Sequence, residues 1–167
     1  MGNRPSGPFR ITFVHAPDRL YSEVQNNGVI FMPVWAYTLA AHLPGDGRTV
    51  LALVDTRFID ADRIAEAELF LYSGVNQDTD SLLSVHDRLK RRFPRSVHVL
   101  GGPICWSFDQ AGELERLAAF DHLVIGDGEA EIAPLAARIL AGDRPERVIR
   151  ARERFPLAQA RRAKITG

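Results

Sequence analysis

Residues 97–129 read VHVLGGPICWSFDQAGELERLAAFDHLVIGDGE. Two short, largely apolar runs, 97–100 and 122–125, stand at the ends of this stretch. Each is rich in β-branched residues and runs straight into a glycine turn, and residues 112–120 between them carry a helical pattern. A continuous rather than alternating apolar run is what a strand buried on both faces requires, and strands that alternate with helices give a parallel sheet. The same unit recurs toward the amino terminus, with strand-like runs at 11–15 (ITFVH), 49–55 (TVLALVD) and 69–75 (LFLYSGV). Helices are expected at 33–43, where Pro33 suits a first turn and Pro44-Gly45 stops the element, and at 59–68, which is short and heavily charged. Further helices are expected at 78–93, which places Leu82, Leu83, Val85, Leu89 and Phe93 near one face before Pro94, and at 129–141, ended by Gly142. Five such units make an α/β protein with a flavodoxin-like, doubly wound, five-stranded parallel sheet of strand order 2-1-3-4-5. A Rossmann-type order is the alternative.

The composition agrees with one domain. The chain has 167 residues, 46% apolar and 25% charged, enough to bury a core. Lys plus Arg and Asp plus Glu both number 21, so no global charge draws it to nucleic acid or an anionic membrane, and neither is an expected partner. A single cysteine, Cys105, excludes an intrachain disulfide, a four-thiolate zinc site and a cysteine-held iron-sulfur cluster within these residues. No apolar run is long enough to cross a bilayer, and the first residues lack the apolar segment of a secretory signal, so the expected location is the cytoplasm. After Asp143 the character changes. Residues 144–167 hold eight basic and two acidic side chains, a net of +6 that leaves −6 on the preceding 143 residues. The division expected is therefore a domain at 1–143 and a basic extension or linker at 144–167, either solvated or docked on a partner.

Ligands of open α/β sheets sit at the carboxyl ends of the strands, so the residues that come after each strand are the informative ones. After the fourth strand come Gly101, Gly102 and Pro103, and after the fifth come Gly126, Asp127, Gly128 and Glu129. Glycines there let backbone amides approach a ligand, although tight turns and helix packing demand glycine too. Ser73, Gly74, Val75 and Asn76 end the third strand with small residues that leave room at the sheet edge. His15, Ala16 and Pro17 end the first strand and open a long loop that contains Tyr21. Several chemistries are excluded by what these positions lack. There is no G-x-G-x-x-G, P-loop or G-x-S-x-G motif, and no phosphoryl-receiving aspartate ends strand three or lysine ends strand five. The five histidines are scattered over separate elements and predict no metal site.

Read together, residues 10–142 resemble the cobalamin-binding domain of the cobalamin-dependent radical S-adenosylmethionine enzymes. The likeness rests on the first strand ending in His15-Ala16-Pro17, on residues 32–43 (MPVWAYTLAAHL), on Val54-Asp55 and Ser73-Gly74, and above all on the Gly101-Gly102-Pro103 and Gly126-Asp127-Gly128-Glu129 turns. The resemblance implies a corrinoid over the carboxyl edge of the sheet with its nucleotide tail inside the domain. Ser73 and Gly74 would then lie beside the tail, Gly101, Gly102 and Pro103 beside corrinoid or tail, and Gly126 to Glu129 beside ribose-phosphate or base. The loop with Tyr21 would face the lower side of cobalt. The D-x-H-x-x-G motif that presents a histidine to cobalt is missing, so no residue of this chain is expected to ligate the metal. A C-x-x-x-C-x-x-C motif is missing too, so neither an iron-sulfur cluster nor unaided radical activity is expected, and a radical S-adenosylmethionine subunit or domain is the implied partner. The other readings are a non-catalytic cobalamin sensor or adaptor, a domain that has lost its corrinoid, a flavin or nucleotide binder, and a structural domain without ligand.

Overall fold

A computed structural model describes residues 7–18, 32–45, 47–151 and 154–161. Its centre is a parallel sheet of six strands: β1 (Phe9–His15), β2 (Thr49–Asp55), β3 (Leu69–Ser73), β4 (Val97–Gly101), β5 (His122–Ile125) and β6 (Val148–Arg150). Their order is β2-β1-β3-β4-β5-β6, the expected doubly wound arrangement with one strand added. Among the described residues four α-helices cover it: α1 (Val34–His42), α2 (Thr79–Arg92), α3 (Pro103–Gln110) and α4 (Gly128–Ala141). The sheet alternates its side chains between two cores, as the period of two requires. On one face Phe70, Tyr72, Leu100 and Leu123 meet Leu82, Val85 and Leu89 of α2 and Ile104 and Phe108 of α3. On the other, Ile11, Phe13, Leu71, Val99 and Val124 meet Ala36 of α1 and Ile132, Leu135 and Ala136 of α4.

Four expectations are corrected. Residues 59–68 form no α-helix; a single 3-10 turn, Ala61–Arg63, is capped by Asp60, whose carboxylate accepts the Asp62 amide at 2.9 Å. Only Ala61, Ile64 and Ala67 of this crossover are buried, one residue in three, which seats an irregular segment on the sheet without the wider stripe of an α-helix. Residues 112–120 are not the crossover helix either. The helix begins at Pro103, whose missing N–H and fixed φ suit the first position, and residues Leu114–Leu117 form a 3-10 turn. The sheet has six strands rather than five because Val148–Arg150, inside the basic segment set apart at residue 144, pairs with β5 in the register Leu123↔Val148 to Ile125↔Arg150. Part of the segment's charge is engaged by the domain, since Arg150 forms a bidentate pair with Asp109 and Arg147 reaches Glu115. Finally, β2 is not buried on both faces. It is the edge strand, and Val50, Leu51 and Ala52 are exposed.

The chain takes an uncommon turn at its end. The steps from β3 to β4 and from β4 to β5 pass through α2 and α3 on one face of the sheet, while the step from β5 to β6, in the same direction, passes through α4 on the opposite face. The β5-α4-β6 crossover is therefore opposite in hand to the other two, an arrangement found in only a few per cent of such units. It places α4 beside α1.

Beneath α2 lies a buried polar and aromatic cluster. The Tyr72 hydroxyl and His98 Nδ1 share a hydrogen bond of 3.0 Å, and the His98 amide donates to Asp121 Oδ2 at 2.7 Å, where Lys90 Nζ also donates. His86 and His98 stand with ring centres 4.7 Å apart, and the Nε2 atom of each is buried without a partner among the described residues. Burial, with the neighbouring His86 and Lys90 adding to it, lowers the His98 pKa from 6.5 to about 3. A pKa depressed in the folded state means that the unfolded chain binds the proton first. The contribution of His98 to stability is complete above pH 6.5 and is lost as pH falls from there toward 3, at up to about 1.4 kcal/mol per pH unit. Urea unfolding of the native chain and of His98→Gln between pH 7 and 4.5 should show the variant's stability falling less steeply by about that slope. Equal slopes would mean that His98 is not held neutral.

Candidate functional site

The helices α1 and α4 part at the carboxyl edge of the sheet and leave a cleft of about 240 Å³ over β3, β4 and β5. Its floor is the face made by Leu71, Val99 and Val124, and its walls are Trp35, Thr38 and Leu39 of α1 against Ile132 and Leu135 of α4. The mouth is formed by eight of the residues singled out from the sequence: Ser73, then Gly101, Gly102 and Pro103, then Gly126, Asp127, Gly128 and Glu129. Three strand ends distant in the chain thus converge on one opening, because parallel strands bring all their carboxyl ends to the same edge.

The other residues singled out lie elsewhere. His15, Ala16 and Pro17 do not line the cleft. Ala16 is buried, the Pro17 carbonyl accepts the Ser81 hydroxyl at 3.3 Å, and the next amide, of Asp18, donates to Asp78 Oδ1 at 3.0 Å, so this segment is tied to the start of α2. Gly74, Val75 and Asn76 are set on the same side. A Cβ on Gly74 would stand 2.8 Å from Leu82 Cδ1, so its small size serves the packing of α2, and the Val75 amide donates to Asp78 Oδ2 at 3.0 Å. Tyr21 lies outside the described residues. His15 ends β1 beside Asp55 and Arg57, whose carboxylate and guanidinium pair at 2.6 Å. Its Nδ1 is buried and unpartnered among the described residues, and burial is the main cause lowering its pKa, against the carboxylate of Asp55.

The glycines of the mouth divide by what they are for. Gly102 has φ +85°, and a Cβ there would fall 2.2 Å from Ser73 Oγ, so backbone conformation and close approach both require glycine. Gly126 has φ +101° and lies against Ala151, where the chain leaves β6. A Cβ on Gly128 would meet Leu39 Cδ2 at 3.2 Å, which ties this glycine to the contact between α4 and α1. Gly102 is therefore fixed by the fold itself, and Gly128 by the contact of α4 with α1, before any ligand is considered. Gly101 differs, since a Cβ there would sit 3.7 Å from Val124 in ordinary contact.

The charge of the opening is negative. Asp127 begins α4, yet its side chain does not cap the helix; Oδ2 accepts the Phe155 amide at 2.7 Å and fastens the returning chain. Glu129 and Glu131 occupy the first turn, and among the described residues that line the cleft none is basic. This arrangement disfavours a phosphate in the cleft and favours a neutral group whose hydroxyls donate to carboxylates. The Trp35 indole forms one wall, and its Nε1–H is buried without an acceptor among the described residues. A buried donor left alone costs free energy that a ligand's acceptor would recover. Trp35, Thr38 and Leu39 belong to the stretch 32–43 on which the resemblance rests, but were not expected to line the site; residues 34–42 lack a polar face, which suits a helix covered on more than one side.

The carboxyl end of the sheet carries exposed apolar side chains. Eight large apolar side chains are exposed among the described residues, and six of them stand at this end of the sheet: Met32 and Val34 at the start of α1, Phe58 and Ile59 after β2, Val75 after β3, and Trp106 in the first turn of α3. Among the described residues no cluster of three or more His, Cys, Asp or Glu could hold a metal ion. Burial pushes the Cys105 thiol up to about 12, so it is no nucleophile. No described helix is long and apolar enough to cross a membrane.

No family model matches the sequence, and no curated protein does. Among solved structures, the fold is similar to that of the RcsB response regulator of Salmonella typhimurium, at a TM-score of 0.54 and 11% identity over 84% of this chain and 63% of that one. It is also similar to the pilus assembly protein CpaE of Caulobacter crescentus, at a TM-score of 0.44 and 15% identity over 80% of this chain and 96% of that one. The chain thus spans less than two thirds of the length of RcsB, and the likeness is one of fold. At the strand ends, where a phosphoryl receiver would carry an aspartate and a lysine, this chain has Ser73-Gly74 and Ile125-Gly126.

The contrast between the two adjacent glycines can be measured. Gly102→Ala should lower unfolding stability by about 1–2 kcal/mol for the left-handed backbone alone, and by more for the contact with Ser73, whereas Gly101→Ala should be near neutral. Adding Ser73→Gly to Gly102→Ala should recover the contact but not the backbone penalty. Urea midpoints for the four proteins decide this, and equal stability of the two alanine variants would refute the assigned geometry.

Proposed function

We propose that this chain is a cobalamin-binding module that accepts the nucleotide tail of the corrinoid in the cleft between α1 and α4. The observation that carries the reading is the chemistry of that cleft. It is apolar on its floor and walls, so it suits a neutral aromatic base. It offers the unpaired Trp35 donor on one side and the carboxylates of Asp127 and Glu129 on the other, where ribose hydroxyls can donate. The glycine mouth at Gly101 and Gly102 leaves the backbone open, and the exposed apolar side chains of Phe58, Val75 and Trp106 at this end of the sheet suit a broad, largely apolar macrocycle lying over the strand ends. None of the described lining residues is basic, and the acidic first turn of α4 moves the expected contact from ribose-phosphate to ribose hydroxyl.

In this reading the chain's residues bind, orient and shield, while the corrinoid supplies a cobalt centre that carries a methyl group or an electron. Trp35 and Leu39 would hold the base against the sheet, Asp127 and Glu129 would orient the sugar, and the apolar side chains at the strand ends would exclude water from the macrocycle. A radical S-adenosylmethionine subunit or domain would approach the free upper side at the carboxyl edge. The resemblance of residues 10–142 to the cobalamin domains of that enzyme class supports this partner.

Protein mixed with hydroxocobalamin and desalted should retain the corrinoid spectrum. Cobinamide, which lacks the nucleotide tail, should be lost on the same column. Gly101→Leu, which directs a side chain toward the cleft from a position with no conformational need for glycine, should reduce retention at least about tenfold with an unchanged far-ultraviolet spectrum. Equal retention of both corrinoids, or retention indifferent to Gly101→Leu, would remove the tail from this cleft, and failure to retain hydroxocobalamin would end the reading. Bound cob(II)alamin should also show no nitrogen splitting from a protein imidazole in its electron paramagnetic resonance spectrum, because His15 stands outside the cleft with its Nδ1 buried. Splitting that disappears in His15→Ala would overturn that assignment.

A further inference from the structure

The strand β2 forms one end of the sheet, and its register on β1 runs unbroken from Phe9↔Thr49 to His15↔Asp55. No bulge, proline or lysine interrupts the seven residues TVLALVD, which are the usual means of blunting an edge. Val50 is 46% exposed and Leu51 is 40% exposed, so apolar side chains stand open on both faces of the strand. On the face of α2 the crossover after it, seated through Ala61, Ile64 and Ala67, has a 3-10 turn where a helix would have covered Val50. Such an edge is a template for another strand.

We propose that β2 pairs antiparallel with β2 of a second copy of this chain, about a two-fold axis normal to the sheet at Ala52. The occupant is identified by the strand's own symmetry. Residues Val50-Leu51-Ala52-Leu53-Val54 read the same in both directions, so a two-fold through Ala52 sets valine opposite valine and leucine opposite leucine along the whole contact. Opposed residues of an antiparallel pair share a face, so Val50 and Val54 meet on the face of α2, and Leu51 and Leu53 meet on the face of α1. Beyond the palindrome Asp55, already paired with Arg57, falls opposite Thr49, so no like charges are directly opposed. A self-complementary patch is what an isologous dimer requires. The two sheets would join into one of twelve strands, with carboxyl edges pointing in opposite directions and both clefts open. The dimer does not depend on what those clefts bind.

The test uses the full chain and a cysteine placed on the axis. Ala52→Cys adds one exposed thiol to a protein whose Cys105 is buried, and opposed residues on an antiparallel pair lie about 4.5–5.5 Å apart between Cα atoms, within disulfide range. Mild oxidation of Ala52→Cys should give a dimer joined by a disulfide between the two copies at position 52, while Val50→Cys, which faces position 54, should cross-link at least about tenfold more slowly. Sedimentation of the native chain should show a concentration-dependent dimer, and Val50→Lys should raise its dissociation constant at least about tenfold without changing the far-ultraviolet spectrum. A native chain that stays monomeric throughout the concentration series would overturn the proposal, whether the edge is covered by another part of the chain or left bare. So would equal cross-linking at 50 and 52, or a dimer unaffected by Val50→Lys, since either places the contact elsewhere.

Discussion

The face of the sheet made by Leu71, Val99 and Val124 has to be covered, and α1 alone does not cover it. That requirement governs the carboxyl-terminal third of the molecule. The helices α2 and α3 are committed to the opposite face by the crossovers between β3, β4 and β5. The long apolar helix that remains is α4, with Ile132, Leu135 and Ala136 on its inner side, and it crosses to join α1. Burying these residues is worth on the order of 1.5–3 kcal/mol for each large side chain. The rare hand of the β5-α4-β6 unit accompanies this cover, and so does the modest β6, a three-residue strand added where the chain returns.

The cleft is the incomplete part of the same cover. Where α4 begins, it approaches α1 closely enough that a Cβ on Gly128 would crowd Leu39, yet over β3, β4 and β5 the two helices leave a gap. The residues that bound the gap are then fixed by backbone constraints rather than by ligand chemistry alone. Gly102 takes a left-handed conformation to start α3 directly after β4, and Ser73 presses against it. Asp127 gives up the cap of α4 to hold the Phe155 amide, so the chain returning from β6 is fastened at the mouth. The charge that results among the described lining residues is that of carboxylates without a basic side chain.

The opposite face is stabilised differently. Its centre holds Tyr72, His86 and His98 among aromatic rings, with Asp121 satisfying the His98 amide and Lys90. Such a network is tolerated in a core because most of its polar groups are paired, and it makes neutral histidine a condition of the folded state. The edge strand β2 is exposed on the face of α2 where residues 56–68 form no α-helix to cover Val50.

The parallel order of the first five strands was legible in the sequence because buried strands must be continuous apolar runs and the connections between them must be long. The convergence of Ser73, Gly101, Gly102 and the turn Gly126 to Glu129 on one edge was legible for the same reason, since parallel strands place all their ends together. The role of an individual glycine was not legible. Gly74 and Gly102 look alike in the chain, yet one makes room for Leu82 and the other meets a backbone requirement beside Ser73, a difference that exists only once α2 and α3 are packed. Helix α3 was misplaced because Pro103 reads equally as the end of a turn and as the first residue of a helix, and burial of Ile104, Cys105 and Phe108 decided between them. Likewise β6 and the wall formed by Trp35, Thr38 and Leu39 depend on which face α4 covers. Local pattern determined the elements and the edge at which they end; the sharing of two sheet faces among four helices, a matter of apolar area to be covered, decided where a cavity remained.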